Sequence, residues 1–134
     1  MQSTFGHLLI NITLTNISFY KEFFEFLGWK VVYDETDMLG VLDANKSSLW
    51  FGNVMKQTTN DYDGVGMNHL AISVANQADV DAIVFWLADH KIACLFETPR
   101  HRPEFSSEGK TYYQVMFESP DRILFEVVYM GPKQ

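Results

Sequence analysis

The chain has 134 residues, enough for one domain of ordinary size, and 47% hydrophobic against 20% charged is the balance of a protein that buries a core. A formal net charge of −7, with no block of consecutive Lys or Arg, excludes the basic footprint that nucleic acid or an anionic membrane surface requires. The single cysteine, Cys94, allows no intrachain disulfide and sits in the apolar run "KIACLFE" as a small core residue.

In chain order, "FGHLLINIT" opens as an apolar strand. "TNISFYKEFFEFLGW" follows as a helix, with Asn16 as N-cap, apolar spacing at Ile17, Tyr20, Phe24 and Leu27, and Gly28 as its stop. Phe19, Phe23 and Phe26 widen the apolar surface of that helix beyond one stripe. "KVVYD", "MLGVLD" and "SSLWFGNV" then read as three short strands, separated by the polar clusters "ETD" and "ANK". After the connector "MKQTTNDYDGVG" the pattern restarts. "MNHLAISV" is a strand, and "ANQADVDAIVFWLADHK" is a helix with Asn76 and Asp79 at its start, an apolar stripe at Val80, Ile83, Val84 and Leu87, and His90 complementing the dipole at its end. "IACLFE", "KTYYQVMFE" and "RILFEVVYM" supply three more strands, the last two joined by the tight turn "SPD".

The chain thus reads as βαβββ written twice, an α+β fold in one domain: a first module over about residues 5–54, a connector over 55–66 and a second module over about 67–130. The main difference between the halves is the loop Thr98 to Gly109, long and polar enough to serve as a lid or substrate loop. There is no basic start followed by a long apolar run, and no stretch of about 18 apolar residues, so a soluble, cytoplasmic setting is expected.

Glu126 raises the sharpest question. It interrupts "RILFEVVY", where both faces of the strand are apolar, so its carboxylate must be hydrated, paired or coordinated. Arg122 and Lys110 are candidate salt-bridge partners across a hairpin.

These residues resemble the vicinal-oxygen-chelate superfamily, which contains the glyoxalases, the bleomycin-resistance proteins, the fosfomycin-resistance enzymes and the extradiol dioxygenases. The resemblance runs from about Phe5 to Tyr129. It is carried by the doubled βαβββ, by "FFEFLGW", by "NHLAISV" and by the ending "SPDRILFEVVY", which is similar to the family's D-P-D-G-x-x-x-E with Arg122 in place of Gly. It implies two modules whose strands curl around a cleft, pairing of two copies as a homodimer, and a small-molecule substrate. It also implies one divalent metal ion (Zn, Ni, Mn, Fe or Co) held by His7, His69 and Glu126, a set of two imidazoles and one carboxylate that leaves positions open for substrate.

In glyoxalase I a fourth ligand, a Glu, lies on the last strand of the first module, where this sequence aligns Trp50; an indole cannot ligate, so glyoxalase I activity proper is disfavoured. A lyase-like or dioxygenase-like metalloenzyme is the first expectation, and a metal-free, ligand-sequestering protein of the bleomycin-resistance type is the alternative.

Around that centre, His101 and Glu104 in "PRHRPEF" are candidate general acids or bases, and Arg100 beside them makes the loop cationic, suited to an anionic substrate. Tyr112 and Tyr113 alternate on their strand, and either can donate a hydrogen bond to a metal-bound oxygen. Asn11 shares a face with His7, and Trp50, Phe51, Phe96 and Phe117 are expected to line or underlie the pocket.

Overall fold

The computed structural model describes residues 1–134, which form two compact units, Met1–Thr59 and Asn60–Gln134. In the first, β1 (His7–Ile12) leads through a 3₁₀ turn into α1 (Ile17–Phe26), followed by β2 (Lys30–Glu35), β3 (Met38–Leu42) and β4 (Ser48–Asn53). In the second, β5 (Leu70–Val74) and α2 (Gln77–Asp89) precede a two-residue β6 (Arg100–His101), β7 (Lys110–Glu118) and β8 (Leu124–Pro132). The sheets have the same strand order, β1-β4-β3-β2 and β5-β8-β7-β6, with the first and last strand of each unit parallel and the other pairs antiparallel. The doubled βαβββ read from the sequence is therefore the fold.

Each helix covers one face of its own sheet. In the first unit Ile10, Phe51 and Leu39 share a rung, and with Ile12, Val41 and Leu49 they pack under Tyr20, Phe23 and Phe24. The rings of Tyr20 and Phe51 stack at 4.5 Å. The apolar surface of α1 divides accordingly: Phe23 is core, Phe19 is half-buried and Phe26 is exposed.

Helix α1 ends as the sequence dictates. Gly28 takes a φ of +82°, its N–H reaches the carbonyl of Glu25, and the N–H of Trp29 reaches that of Phe24, whose ring lies 4.9 Å from the Trp29 ring. These are the two backbone bonds and the apolar contact of a left-handed helix stop. Its start differs from expectation, because Asn16 makes no side-chain capping bond and the 3₁₀ turn Leu14–Asn16 feeds the helix instead.

In the second unit the odd residues of β7 and β8, including Val115, Phe117, Phe125 and Val127, pack beneath Val80, Ile83 and Leu87 of α2. Asp79 caps α2 by accepting the Asn76 N–H at 3.1 Å. At the other end the His90 ring stacks on Trp86 at 3.7 Å, with Nδ1 2.7 Å from the Trp86 carbonyl.

Three expectations need correction. "IACLFE" is not a strand: Ile92–Leu95 has no regular structure, and Phe96 and Glu97 turn with φ of +57° and +60°, which breaks the extended run. The second strand of this half is β6, inside the segment read as a loop, and Cys94 is half-buried rather than core, with burial pushing its thiol up. The connector is also more than a spacer. Asn60 donates to the Arg122 carbonyl at 2.8 Å, the Tyr62 hydroxyl donates to Glu118, and the Tyr62 ring packs with Met116, Leu124 and Leu95.

No helix is long and apolar enough to cross a membrane.

Candidate functional site

The face of the second sheet away from α2 carries the even residues of the β7–β8 hairpin. Their parity is set by the turn: Ser119 and Ile123 bond through their backbones (2.9 Å), and Ser119 Oγ accepts the N–H of Ile123 at 3.1 Å. Arg122 holds the left-handed position in that turn, φ +56°, where the related pattern has Gly, a conformation costing a side-chain-bearing residue about 1 kcal/mol. From there the ladder matches Met116 with Glu126, Gln114 with Val128 and Tyr112 with Met130, so residues of like parity share a face.

Glu126, 2% exposed, is consequently surrounded by donors. The Tyr112 hydroxyl donates to Oε1 at 2.6 Å. The Gln114 carboxamide is oriented so that its nitrogen donates to the same oxygen at 2.5 Å while its oxygen accepts from Arg102 Nη1 at 3.1 Å. His69 Nε2 stands 3.0 Å from Oε2. Neither Arg122, which pairs with Glu118 at 3.6 Å, nor Lys110 is the partner of this carboxylate. Burial first, and then the bond to Glu126, push the Tyr112 phenol far above its ordinary range and keep it a donor.

The His69 ring is fixed from its other side. Asn68 Nδ2 donates to the Tyr62 carbonyl at 2.9 Å, which leaves Asn68 Oδ1 facing His69 Nδ1 at 2.7 Å. That oxygen can only accept, so Nδ1 carries a proton and Nε2 is the nitrogen left to meet Glu126. Nε2 and Oε2 then face each other across 3.0 Å, an arrangement that needs one proton or one cation between them.

A divalent ion fits the pair on two grounds. The imidazole tautomer is fixed by an outer hydrogen bond, as in ligating histidines. The donor types, an imidazole nitrogen beside a buried carboxylate oxygen, are also those that hold first-row divalent ions. No group of three or more His, Cys, Asp and Glu side chains gathers into a metal-holding cluster, so the pair stands with two donors.

The pair opens into a cleft of about 680 Å³ lined entirely by the second unit: Tyr62, Asp63, Asn68, His69, Phe96, Arg102, Phe105, Tyr112, Gln114, Met116, Leu124 and Glu126. The other sequence-derived candidates lie elsewhere. Tyr113 points to the helix face, where its hydroxyl donates to Asp81 at 2.7 Å. His101, paired in register with Tyr113, bonds Thr111 Oγ1 through Nδ1 on that face. Arg100 reaches Glu97 at 3.5 Å, and exposed Glu104 accepts from Arg102 Nε at 2.5 Å. Phe51 and Phe117 are fully buried against the helices.

In the first unit, His7 and Asn11 are exposed on the sheet face that also carries Trp50. The indole lies over Gly40, contacts Tyr33 at 5.8 Å between ring centroids, and donates to Ser48 Oγ at 3.0 Å.

Arg102, Gln114, Asn68, Tyr62, Phe105, Met116 and Leu124 were absent from the candidate set. Gln114 and Met116 follow from the register of the "SPD" hairpin, which places residues an even number from Glu126 on its face once the turn is known. Tyr62 and Arg102 lie in irregular segments, whose side-chain directions no periodicity predicts.

No protein-family model matches the sequence, and no curated protein does. Solved structures do. A candidate glyoxalase from Bacillus halodurans superposes with a TM-score of 0.79 at 25% identity, with 96% of each chain covered. A glyoxalase/bleomycin resistance protein from Albidiferax ferrireducens gives 0.69 at 14%, covering 95% of this chain and 98% of its own. The fosfomycin resistance protein FosX from Listeria monocytogenes, solved with Mn(II) and sulfate, gives 0.64 at 16%, covering 96% and 91%.

The architecture is thus that of the glyoxalase/bleomycin resistance/dioxygenase proteins. In the terms used for the sequence, it is the vicinal-oxygen-chelate fold.

Proposed function

We propose that this chain is a metal-dependent enzyme acting on a small molecule, with His69 and Glu126 as two ligands of one divalent ion; the family resemblance adds His7, exposed at the start of β1. The reading rests on one observation: Asn68 occupies His69 Nδ1, so that Nε2 is the ring nitrogen turned to a buried carboxylate. When bound, the ion supplies Lewis-acid polarisation of two neighbouring substrate oxygens. The chain's own residues do the rest. Asn68 holds the ring of His69, Tyr112 and Gln114 hold Glu126 Oε1 and keep its other oxygen directed at the histidine, and Met116 and Leu124 give the cleft an apolar wall beside the pair. The Tyr112 phenol, kept protonated by burial and by Glu126, gives its one O–H to Oε1 and so holds the carboxylate in place. Lyase-like chemistry at a pair of oxygens is the reaction class; homodimer pairing and a cytoplasmic setting belong to the same proposal.

The test is metal content. Protein exposed to Mn, Fe, Co, Ni or Zn should retain about one equivalent, and His69→Ala, Glu126→Ala and His7→Ala should each reduce the affinity by tenfold or more. Absence of retained metal, with no shift in melting temperature on adding any of the five, would overturn the reading.

One observation favours a second reading, a ligand-sequestering protein: His69 and Glu126 also satisfy each other directly, as an imidazolium–carboxylate pair, without any ion. In that case ligand-induced stabilisation is insensitive to chelator and to loss of His7.

A further inference from the structure

We propose, building on the reading of the second-unit cleft as a substrate site, that its ligand is an organic anion with an apolar or aromatic body, with Arg102 binding the anionic group and Phe96 and Phe105 the body.

Arg102 lines the cleft with a guanidinium oriented from three directions. Its Nε donates to Glu104 Oε1 at 2.5 Å, its Nη1 donates to the Gln114 carboxamide oxygen at 3.1 Å, and the Phe105 ring lies 4.7 Å from the guanidinium carbon. Those two bonds use two of the five N–H donors of the fork, and the side chain is only 21% exposed. Orientation before binding is what lets a planar fork hold a carboxylate or phosphate at low entropic cost. Its protein partner is weakly placed to compete: Glu104 is half exposed, outside the cleft lining, and screened by water.

The acids of the lining do not reverse this preference. Glu126 is 2% exposed, with its oxygens turned to Tyr112, Gln114 and His69, so the charged head of an organic cation does not reach it from the cleft. Asp63 is exposed to water, which screens it.

Two phenyl rings also line the cleft while remaining 52% and 59% exposed, Phe96 and Phe105 respectively. Phe105 is steadied by an edge contact with Tyr112 at 5.4 Å and by the Arg102 stack. Exposed rings beside a cation, at the mouth of a cleft whose walls are Met116 and Leu124, suit a ligand that covers them with apolar surface while its charge reaches Arg102.

The experiment is calorimetric titration of the intact chain, with EDTA present throughout so that chelation by a metal contributes nothing, using hydrocinnamate, propionate and hydrocinnamyl alcohol. Hydrocinnamate should bind at least about tenfold more tightly than either of the others, since each lacks one recognition element. Arg102→Met should remove the preference of hydrocinnamate over the alcohol and leave the alcohol's affinity unchanged. Glu104→Gln, which frees the guanidinium, should tighten hydrocinnamate about threefold, a gain that misfolding cannot imitate.

Equal affinity for hydrocinnamate and the alcohol, no binding of any probe, or a Glu104→Gln variant that binds no more tightly would overturn the proposal. Because the titration is done without metal, failure of the metal reading leaves these outcomes intact, and failure here leaves the metal reading intact.

Discussion

At the same rung of the two sheets stand Leu9, Trp50 and Gly40 in the first unit and Ala71, Glu126 and Met116 in the second. The histidines His7 and His69 each lie two residues before the first member of that rung, so Trp50 is the structural counterpart of Glu126. One rung further, Asn11, Gly52 and Met38 correspond to Ser73, Val128 and Gln114. The helix-facing rungs remain apolar in both units, Ile10, Phe51 and Leu39 against Ile72, Val127 and Val115, all buried. Packing against a helix constrains one face of a repeated sheet strongly, and the other face has been free to diverge. In the first unit that face became a site for packing an indole. In the second it became a carboxylate surrounded by donors.

Removing the central residue of each rung breaks the comparison most directly. Glu126→Ala strands the Tyr112 hydroxyl, the Gln114 amide and the His69 ring around a void and should cost about 3 kcal/mol in urea unfolding, whereas Glu126→Gln, which keeps an acceptor oxygen, should cost about 1. Equal losses for the two variants would show that volume, not hydrogen bonding, holds this rung together. Trp50 has a different dependence. A Cβ at Gly40 would come within 2.7 Å of its ring, so Gly40→Ala should cost about 2 kcal/mol alone and under about 0.5 in a Trp50→Ala background. Additive effects in that double-mutant cycle would mean that the two residues do not share the rung as described.

Much of this was legible in the residues. Gly28 marked the end of the first helix because a left-handed φ is needed there, and the two βαβββ patterns could be counted because amphipathic spacing survives where a helix covers a sheet. Glu126 stood out because both neighbours on each side were apolar. Its donors were less visible. Choosing between Tyr112 and Tyr113 required the register of the "SPD" turn, which depends on Arg122 taking a left-handed conformation that its residue type does not advertise. Asn68 and Arg102 act through single side-chain directions in irregular backbone, and the false strand "IACLFE" shows the same weakness from the other side. Its apolar composition was genuine, but Phe96 and Glu97 adopt turn geometry and β6 forms among polar residues instead.

The smallest expected effect separates the two faces of a single strand. Tyr113 differs from its neighbour Tyr112 in facing α2, where burial first, and then its bond to Asp81, push its phenol up to about 12. A folded-state value above the unfolded one, about 10 for tyrosine, means that the native fold favours the protonated phenol. The associated stability is fully present below pH 10 and is lost as the pH rises from about 10 through about 12. Tyr113→Phe, which has no phenol to ionise, should therefore be less stable than the native chain by on the order of 1 kcal/mol at pH 8, the worth of one buried hydrogen bond. That gap should close by about pH 12, because only the native chain loses stability there through this group, while ionisation of the other tyrosines affects both proteins alike. Urea midpoints measured for the pair at pH 8 and again near pH 11.5 read the difference directly. A gap that stays constant across that interval would mean that the Tyr113–Asp81 bond does not bias the phenol, and that the helix face of β7 is held by packing alone.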